Sequence, residues 1–587
     1  MFVSLPPILQ KSLLALLAGW GTLLTAGAQS VGGVPSAANV PSATNTYHIL
    51  HQTDTALKVK LEGVSLGSRS VRHYVYEYPS VDPDGQPVTI SGVILAPTDI
   101  VSGDVPCDGI ILFNHHTLGN PSQAPSQGEL EMPSVMLANP LKPNYIIVMS
   151  DYIGYGSSID RPAAYLCGDT NARNILDGLL AARQLFSDHH IAQGKYLFNM
   201  GYSQGATESM YAAKLCDMEP KYQGIVIDKT FVGGGLLDTK GALAEYVRRD
   251  ECDAINDVAM FLIANNEWRH MGIKYSDLFK EPVASNVEKA IRTKNKGDLG
   301  IYGLDSLHQL LQPAYMNPSS APAKALDAKL GEIAITNGWK PNLNRQYFIE
   351  HSRHDNYVPV QCARPMISWM KQQGFKPSIV PGKSSLQTNM LVFKLNHQQS
   401  AIVWAVQTMA AIQFWPVLYY EGEQNRFYRE VVHDLNLMKL IKYLESWGID
   451  LRKIVRQGNS RAFVRDVNEA IAKGTLEAGG SVRQLSGMRR ASFFDILGQI
   501  TGVLKKLGLT LTDFYEMLED SGIKLLDIVD VIVYLTNSPD ASRSLAETST
   551  LPTELVSPEA MLFLPRLYEQ TLVDWLHAAG VNVEYVQ

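Results

Sequence analysis

The chain has 587 residues, more than one ordinary hydrophobic core can use, and 45% apolar with 19% charged residues marks it as globular, with two or more domains expected. Its formal net charge of −7 is small for that length, and without a long basic run it excludes nucleic-acid binding by phosphate neutralisation. Five widely spaced cysteines (Cys107, Cys167, Cys216, Cys252 and Cys362) have no metal-ligand spacing; an exported chain could pair four, in a connectivity that sequence does not fix.

Residues 1–28 predict a secretory signal. Lys11 supplies the positive region. Residues 12–24 form a short apolar core with Leu13, Leu14, Leu16, Leu17, Trp20 and Leu23, and Ala26-Gly27-Ala28 offers a small-residue cleavage site. The apolar core is too short, and too broken by Gly19 and Gly21, to span a bilayer comfortably. Gln29 stands where lipid attachment would need a cysteine. A secreted or periplasmic location is therefore expected, with no integral membrane segment after signal removal. Residues 29–70 read as a lead-in, flexible over 29–46, where Ser, Ala, Val, Pro and Asn dominate.

From residue 71 strand and helix patterns alternate. Residues 73–78 and 88–95 read as paired strands around the turn Asp82-Pro83-Asp84-Gly85. Continuous apolar runs at 110–113 and 145–149 suit buried parallel strands. Ile175, Leu176, Leu179, Leu180 and Leu185 recur at helical spacing. Further strands are expected at 196–200, 225–232, 347–350 and 390–395. This alternation predicts an α/β fold, a mostly parallel sheet with helices on both faces, over residues 71–420. Residues 239–344 interrupt it with helix-like stretches (243–247, 255–262, 304–311) and predict an inserted helical cap. After about residue 420 only helical patterns remain. There Gly448-Ile449-Asp450-Leu451, Gly508-Leu509-Thr510-Leu511 and Gly522-Ile523-Lys524-Leu525 repeat a glycine-capped helix end. A separate helical domain over 421–587 is expected, with its partner unspecified.

The chemistry begins at Gly201-Tyr202-Ser203-Gln204-Gly205, which lies between the strand at 196–200 and a helix-forming run. A strand, a tight glycine-flanked turn and a helix together lift a serine hydroxyl to the rim of a sheet. Serine needs a base to take its proton and a carboxylate to orient that base, here in the chain order Ser, acid, His. Asp355 follows the strand at 347–350 and is the expected acid, ahead of Asp238 and Glu350. His397 follows the strand at 390–395, precedes a helix at 400–412, and is the expected base; His433 and His577 fall in helical patterns of the tail. Two backbone N–H donors are needed for the oxyanion. Gln204 supplies one and Thr117 the other, with His116 the alternative. His115 and His116, beside the oxyanion site, and Tyr152 and Tyr202 are candidate substrate contacts. Asp151 reads as a loop-holding residue. Adjacent histidines on an extended backbone diverge, and no third ligand has a telling spacing, so no metal is expected.

The combination of Asp151-Tyr152-Ile153-Gly154-Tyr155-Gly156, Gly201-Tyr202-Ser203-Gln204-Gly205 and a helical insertion before the acid resembles the α/β-hydrolase superfamily, and within it the secretory lipase family and bacterial serine esterases. The likeness covers roughly residues 71–415. It implies Ser203 as nucleophile, Asp355 as acid, His397 as base, and cofactor-free hydrolysis of carboxylic esters, with a small-molecule ester or lipid as substrate. Relatives commonly carry His-Gly where this chain has His115-His116, which narrows the acyl pocket or shifts the donor by one residue. The tail lies outside the resemblance. A peptidase, a carbohydrate-ester deacylase and a non-catalytic binding protein are the competing functions.

Overall fold

The computed structural model describes residues 47–413, apart from 62–63, 129, 139–142, 251–252, 302, 379–385 and 392–394, together with a few positions within 498–514. The expected signal at 1–28 lies outside the described residues, as does most of the helical tail with its glycine repeat, His433 and His577. Two compact units are present, one of residues 29–375 with 395–404, the other of residues 1–28, 376–394 and 405–587.

The first unit is built on eight strands: β1 His48–Leu61, β2 Val64–Val81, β3 Pro87–Pro97, β4 Gly109–Asn114, β5 Tyr145–Ser150, β6 Tyr196–Tyr202, β7 Lys229–Gly233 and β8 Tyr347–Ser352. They lie in the order β1-β2-β3-β5-β4-β6-β7-β8. The pairs β1–β2, β2–β3 and β3–β5 are antiparallel; those joining β5, β4, β6, β7 and β8 are parallel. The parallel strands are buried almost throughout, which explains the apolar runs of β4 and β5; β6, β7 and β8 also bury polar residues such as Asn199, Lys229 and Glu350. The hairpin expected around Asp82 to Gly85 is the β2–β3 turn, where Asp82 Oδ1 accepts the N–H groups of Asp84 and Gln86 at 3.0 and 2.8 Å.

Strand structure begins well before residue 71. The described side chains of β1 are mostly exposed and its sequence is largely polar, so it carries little of the period-two burial signal. Helix α1, Gly168–Asp188, buries Ile175, Leu176, Leu179 and Leu185 as their spacing predicts, and leaves Leu180 half-buried. Helix α2, Gln204–Met218, packs on α1, β6 and β7. The strand expected at 225–232 is shorter, since residues 221–227 form turns and irregular chain before β7.

Between β7 and β8 lie α3 Ala242–Arg249, α4 Ile255–Trp268, α5 Val283–Thr293 and α6 Ala321–Glu332, with shorter turns between them. This insertion includes an isolated bridge from Phe279 to Leu311. Helix α7, Arg364–Gln373, follows β8. Helix α8 spans His397–Gln413, so His397 opens it. In the second unit the short strands β9 Pro377–Ser378 and β10 Leu386–Leu391 are parallel; β10 lies earlier than the expected 390–395. No helix among the described residues is long and apolar enough to cross a membrane.

Candidate active site

β6 ends at Tyr202 and α2 begins at Gln204, so Ser203 alone makes the turn. Its backbone has φ 58° and ψ −121°. For a residue with a Cβ this conformation costs on the order of 1–3 kcal/mol and persists only where its surroundings impose it. They do: Ser203 N donates to Gly233 O at 2.9 Å. A Cβ at Gly201 would lie 2.3 Å from the Gly205 main chain, and one at Gly205 would lie 2.1 Å from Asn114 O. The two glycines are thus the space in which the turn closes. The first N–H groups of α2 have no acceptor within the helix, and that of Gln204 is at the head of the row.

Asp355 sits three residues past the end of β8 and is fully buried. Its Oδ1 accepts the N–H groups of Tyr357 and Val358 at 2.8 and 2.7 Å, and its Oδ2 accepts from His397 Nδ1 at 2.7 Å. Burial pushes the carboxyl pKa up, but the His397 and His351 rings and the Val358 N–H outweigh it, and the net shift is downward. His351 donates through Nε2 to Val358 O at 2.9 Å and lies 3.7 Å from Asp355 Oδ2, bracing the same loop. With Nδ1 of His397 given to the carboxylate, Nε2 is the nitrogen left to receive a proton.

The His397 main chain is held from two sides. Its N–H donates to Asn356 Oδ1 at 2.9 Å, and its carbonyl accepts from Tyr202 Oη at 2.8 Å. The imidazole stacks on Tyr357, with ring centroids 5.3 Å apart and planes at 19°. Ser203 therefore directly follows in sequence the residue that holds the His397 main chain. No hydrogen bond joins Ser203 Oγ to the His397 ring among the described residues, so the Asp355–His397 contact is closed and a His397–Ser203 contact is not. Such contacts are often long in the resting state and tighten around substrate.

The loop after β4 carries His115, His116 and Thr117. His115 is buried; its Nδ1 lies 2.7 Å from His116 O, its ring stacks on Tyr152 at 3.9 Å, and burial pushes its pKa down to about 4. His116 is exposed, yet it lies deep among surrounding protein, and desolvation, then Lys296 and His397, lower its pKa. Thr117 Oγ1 is 2.9 Å from Tyr165 Oη. Tyr152 has φ 64° and is buried, with its hydroxyl 3.3 Å from His115 O. Tyr152 and His115 thus brace the loop from beneath, and the Tyr202 hydroxyl is engaged with His397 and Ser400. Asp151 accepts from Ser126 N at 2.8 Å and Ser91 Oγ at 2.6 Å, and burial raises its pKa. Asp238 instead lines a separate cleft of about 590 Å³ with Lys240, Leu243 and Asp327.

Ser203 and Gln204 open on a cavity of about 30 Å³ whose other walls include Tyr165, Leu166, Tyr246, Asp257, Phe261 and Tyr357. The insertion was expected to cap the active site, but none of these wall residues was named from sequence. Tyr246, Asp257 and Phe261 come from the insertion, which has no motif, and Tyr165 and Tyr357 are unmarked aromatic residues in loops. Among the described residues no group of three or more His, Cys, Asp or Glu is arranged to hold a metal ion. The described cysteines, Cys107, Cys167, Cys216 and Cys362, are unpaired; Cys252 lies outside the described residues.

Residues 122–244 match the family described as Secretory lipase. Curated proteins offer no sequence match. A Legionella pneumophila protein named as a hydrolase aligns over 64% of this chain and 99% of its own, with TM-score 0.54 and 17% identity. A single-residue variant of the rice cell wall degrading esterase LipA from Xanthomonas oryzae aligns over 63% of this chain and 98% of its own, with TM-score 0.50 and 17% identity. At these identities the likeness concerns the fold. The chain has the α/β-hydrolase fold and, over residues 122–244, the sequence pattern of the secretory lipases.

Proposed function

We propose that the protein is a secreted serine hydrolase that cleaves carboxylic esters through an acyl-enzyme. Ser203 Oγ attacks the ester carbonyl, and His397 Nε2 takes its proton. Asp355 holds the ring in the tautomer that can do so and stabilises the imidazolium. The N–H groups of Gln204 and Thr117 receive the charge that develops on the carbonyl oxygen. His397 then returns the proton to the departing alcohol. Water repeats the sequence from the other side, and the acid product and free Ser203 result. No cofactor enters these steps.

The observation that carries the reading is the buried Asp355 carboxylate bonded at 2.7 Å to His397 Nδ1, on a histidine whose carbonyl is held by the residue preceding Ser203. A histidine that served only packing would not need a fully buried anion at its back, because burying that charge is costly unless it is paired. The secretory-lipase pattern at 122–244 supports an ester or lipid as substrate and, with the signal-like residues 1–28, export. Ser203→Ala is expected to abolish hydrolysis of p-nitrophenyl esters while the far-ultraviolet circular dichroism stays that of the parent. Hydrolysis near the parent rate in that variant would rule the assignment out.

A further inference from the structure

We propose that Asn356 is a positioning residue through which the helical cap sets His397, so that the acid–base pair is in register only while the cap is seated over Ser203. This rests on the ester-hydrolase reading and extends it to the control of the same site.

The Asn356 carboxamide faces two ways. Its Oδ1 accepts the His397 N–H at 2.9 Å, and its Nδ2 donates to Asp253 Oδ2 in the cap segment between α3 and α4. The His397 N–H belongs to the first turn of α8 and has no acceptor inside the helix, so Asn356 is its partner. A second tie runs alongside: Arg249 Nη2, at the end of α3, donates to Asp355 O at 2.7 Å. Two consecutive residues, the acid and its neighbour, are therefore bonded to the cap, and the neighbour is bonded to the base. A carboxamide is a rigid plane, so displacing its nitrogen end turns its oxygen end.

The same stretch of the cap lines the cavity at Ser203. Tyr246, Ala254, Asp257, Val258 and Phe261 wall the cavity at Ser203. At about 30 Å³ that cavity has room for about one water molecule and none for an ester. Substrate entry must move these residues, and moving them pulls on Asp253 and Arg249. The histidine is then loosened as the site opens and fixed again as the cap returns over the bound ester. That order keeps proton transfer for the closed, water-poor state.

The test compares Asp253→Ala, Asp253→Asn, Asn356→Ala and the double alanine variant by kcat, KM and Tm with a soluble p-nitrophenyl ester. Asp253→Ala is expected to lower kcat about tenfold with KM changed less than about twofold. Asp253→Asn keeps an acceptor oxygen for Asn356 Nδ2 and restores kcat to within about twofold of the parent. The double variant is no slower than Asn356→Ala alone, because both changes cut one chain of bonds. An Asp253→Ala enzyme with the parent kcat overturns the proposal. So does an equal loss in Asp253→Asn, a loss that follows Tm alone, or full additivity in the double variant. If the parent protein hydrolyses no ester, or does so equally well as Ser203→Ala, the functional reading fails instead, and the two failures are distinct.

Discussion

Glu208 lies five residues along the chain from Ser203, on α2, and is fully buried. One oxygen accepts from Asn171 Nδ2 at 2.9 Å and Gln204 Nε2 at 3.4 Å; the other has no hydrogen-bond partner among the described residues. Burial outweighs those bonds and pushes the carboxyl up to about 8. With a pKa of about 8 it is mostly protonated at pH 7, in an environment that supplies two amide donors. In the unfolded chain it ionises near 4.5. Between about 4.5 and 8 the native state keeps a proton that the unfolded state releases, so this group makes stability fall as pH rises across that window. Glu208→Gln removes the effect. It is expected to raise stability at pH 8 by on the order of 4 kcal/mol, with no gain at pH 4. Urea unfolding midpoints at the two pH values check this; a variant less stable than the parent at pH 8 would mean an ionised and paired carboxylate.

The elements that carry the site are fixed where a few buried polar groups tie them together. The C-terminal end of α2 is an example. Asp217 accepts from Arg345 Nε, from Trp339 Nε1 at 3.0 Å and from Asn342 N at 3.1 Å, on the segment that leads into β8. The Asp217 and Arg345 side chains are 2% and 9% exposed. Desolvation makes the formed pair worth little, but removal of one partner leaves a buried charge alone. Arg345→Met is therefore expected to cost about 3 kcal/mol and to lower Tm, whereas replacing both residues with apolar ones is milder than the single change. Thermal melts of the two variants decide it; equal losses would show that the charge is not the source.

How much of this was legible from sequence also follows the elements. β4, β5, β6 and β8 announce themselves because strands buried on both faces carry mostly apolar runs. The serine turn is legible because its sterics demand glycines at fixed offsets: a Cβ at Gly205 would come within 2.1 Å of Asn114 O. Asp355 and His397 are found by chain order after late strands, and their 2.7 Å contact depends on it. What stayed hidden has physical reasons too. β1 is polar and exposed. α6 is rich in Ala and Lys and has few large apolar residues. The cavity walls are contributed by tertiary packing of the insertion, which leaves no spacing to read. Asn356 looked like one more loop residue until its two partners, 41 and 103 positions away, were brought to it.

On the scale of the whole molecule, the aligned structures share the fold over about two thirds of the chain. At the other end, the small residues Ala26 and Ala28 predict that the exported protein begins at Gln29. Mass spectrometry of the secreted form checks this; an intact Met1 in the mature protein would contradict it.

The central claim is that three side chains spread over nearly two hundred positions make Ser203 a nucleophile. The most direct measurement is the rate of labelling by a fluorophosphonate probe, read as intact mass and mapped to a peptide. The parent protein should gain one probe per chain, on Ser203, and His397→Ala and Asp355→Asn should react ~10³-fold more slowly or not at all. Labelling of His397→Ala at the parent rate, or at a residue other than Ser203, would contradict the account.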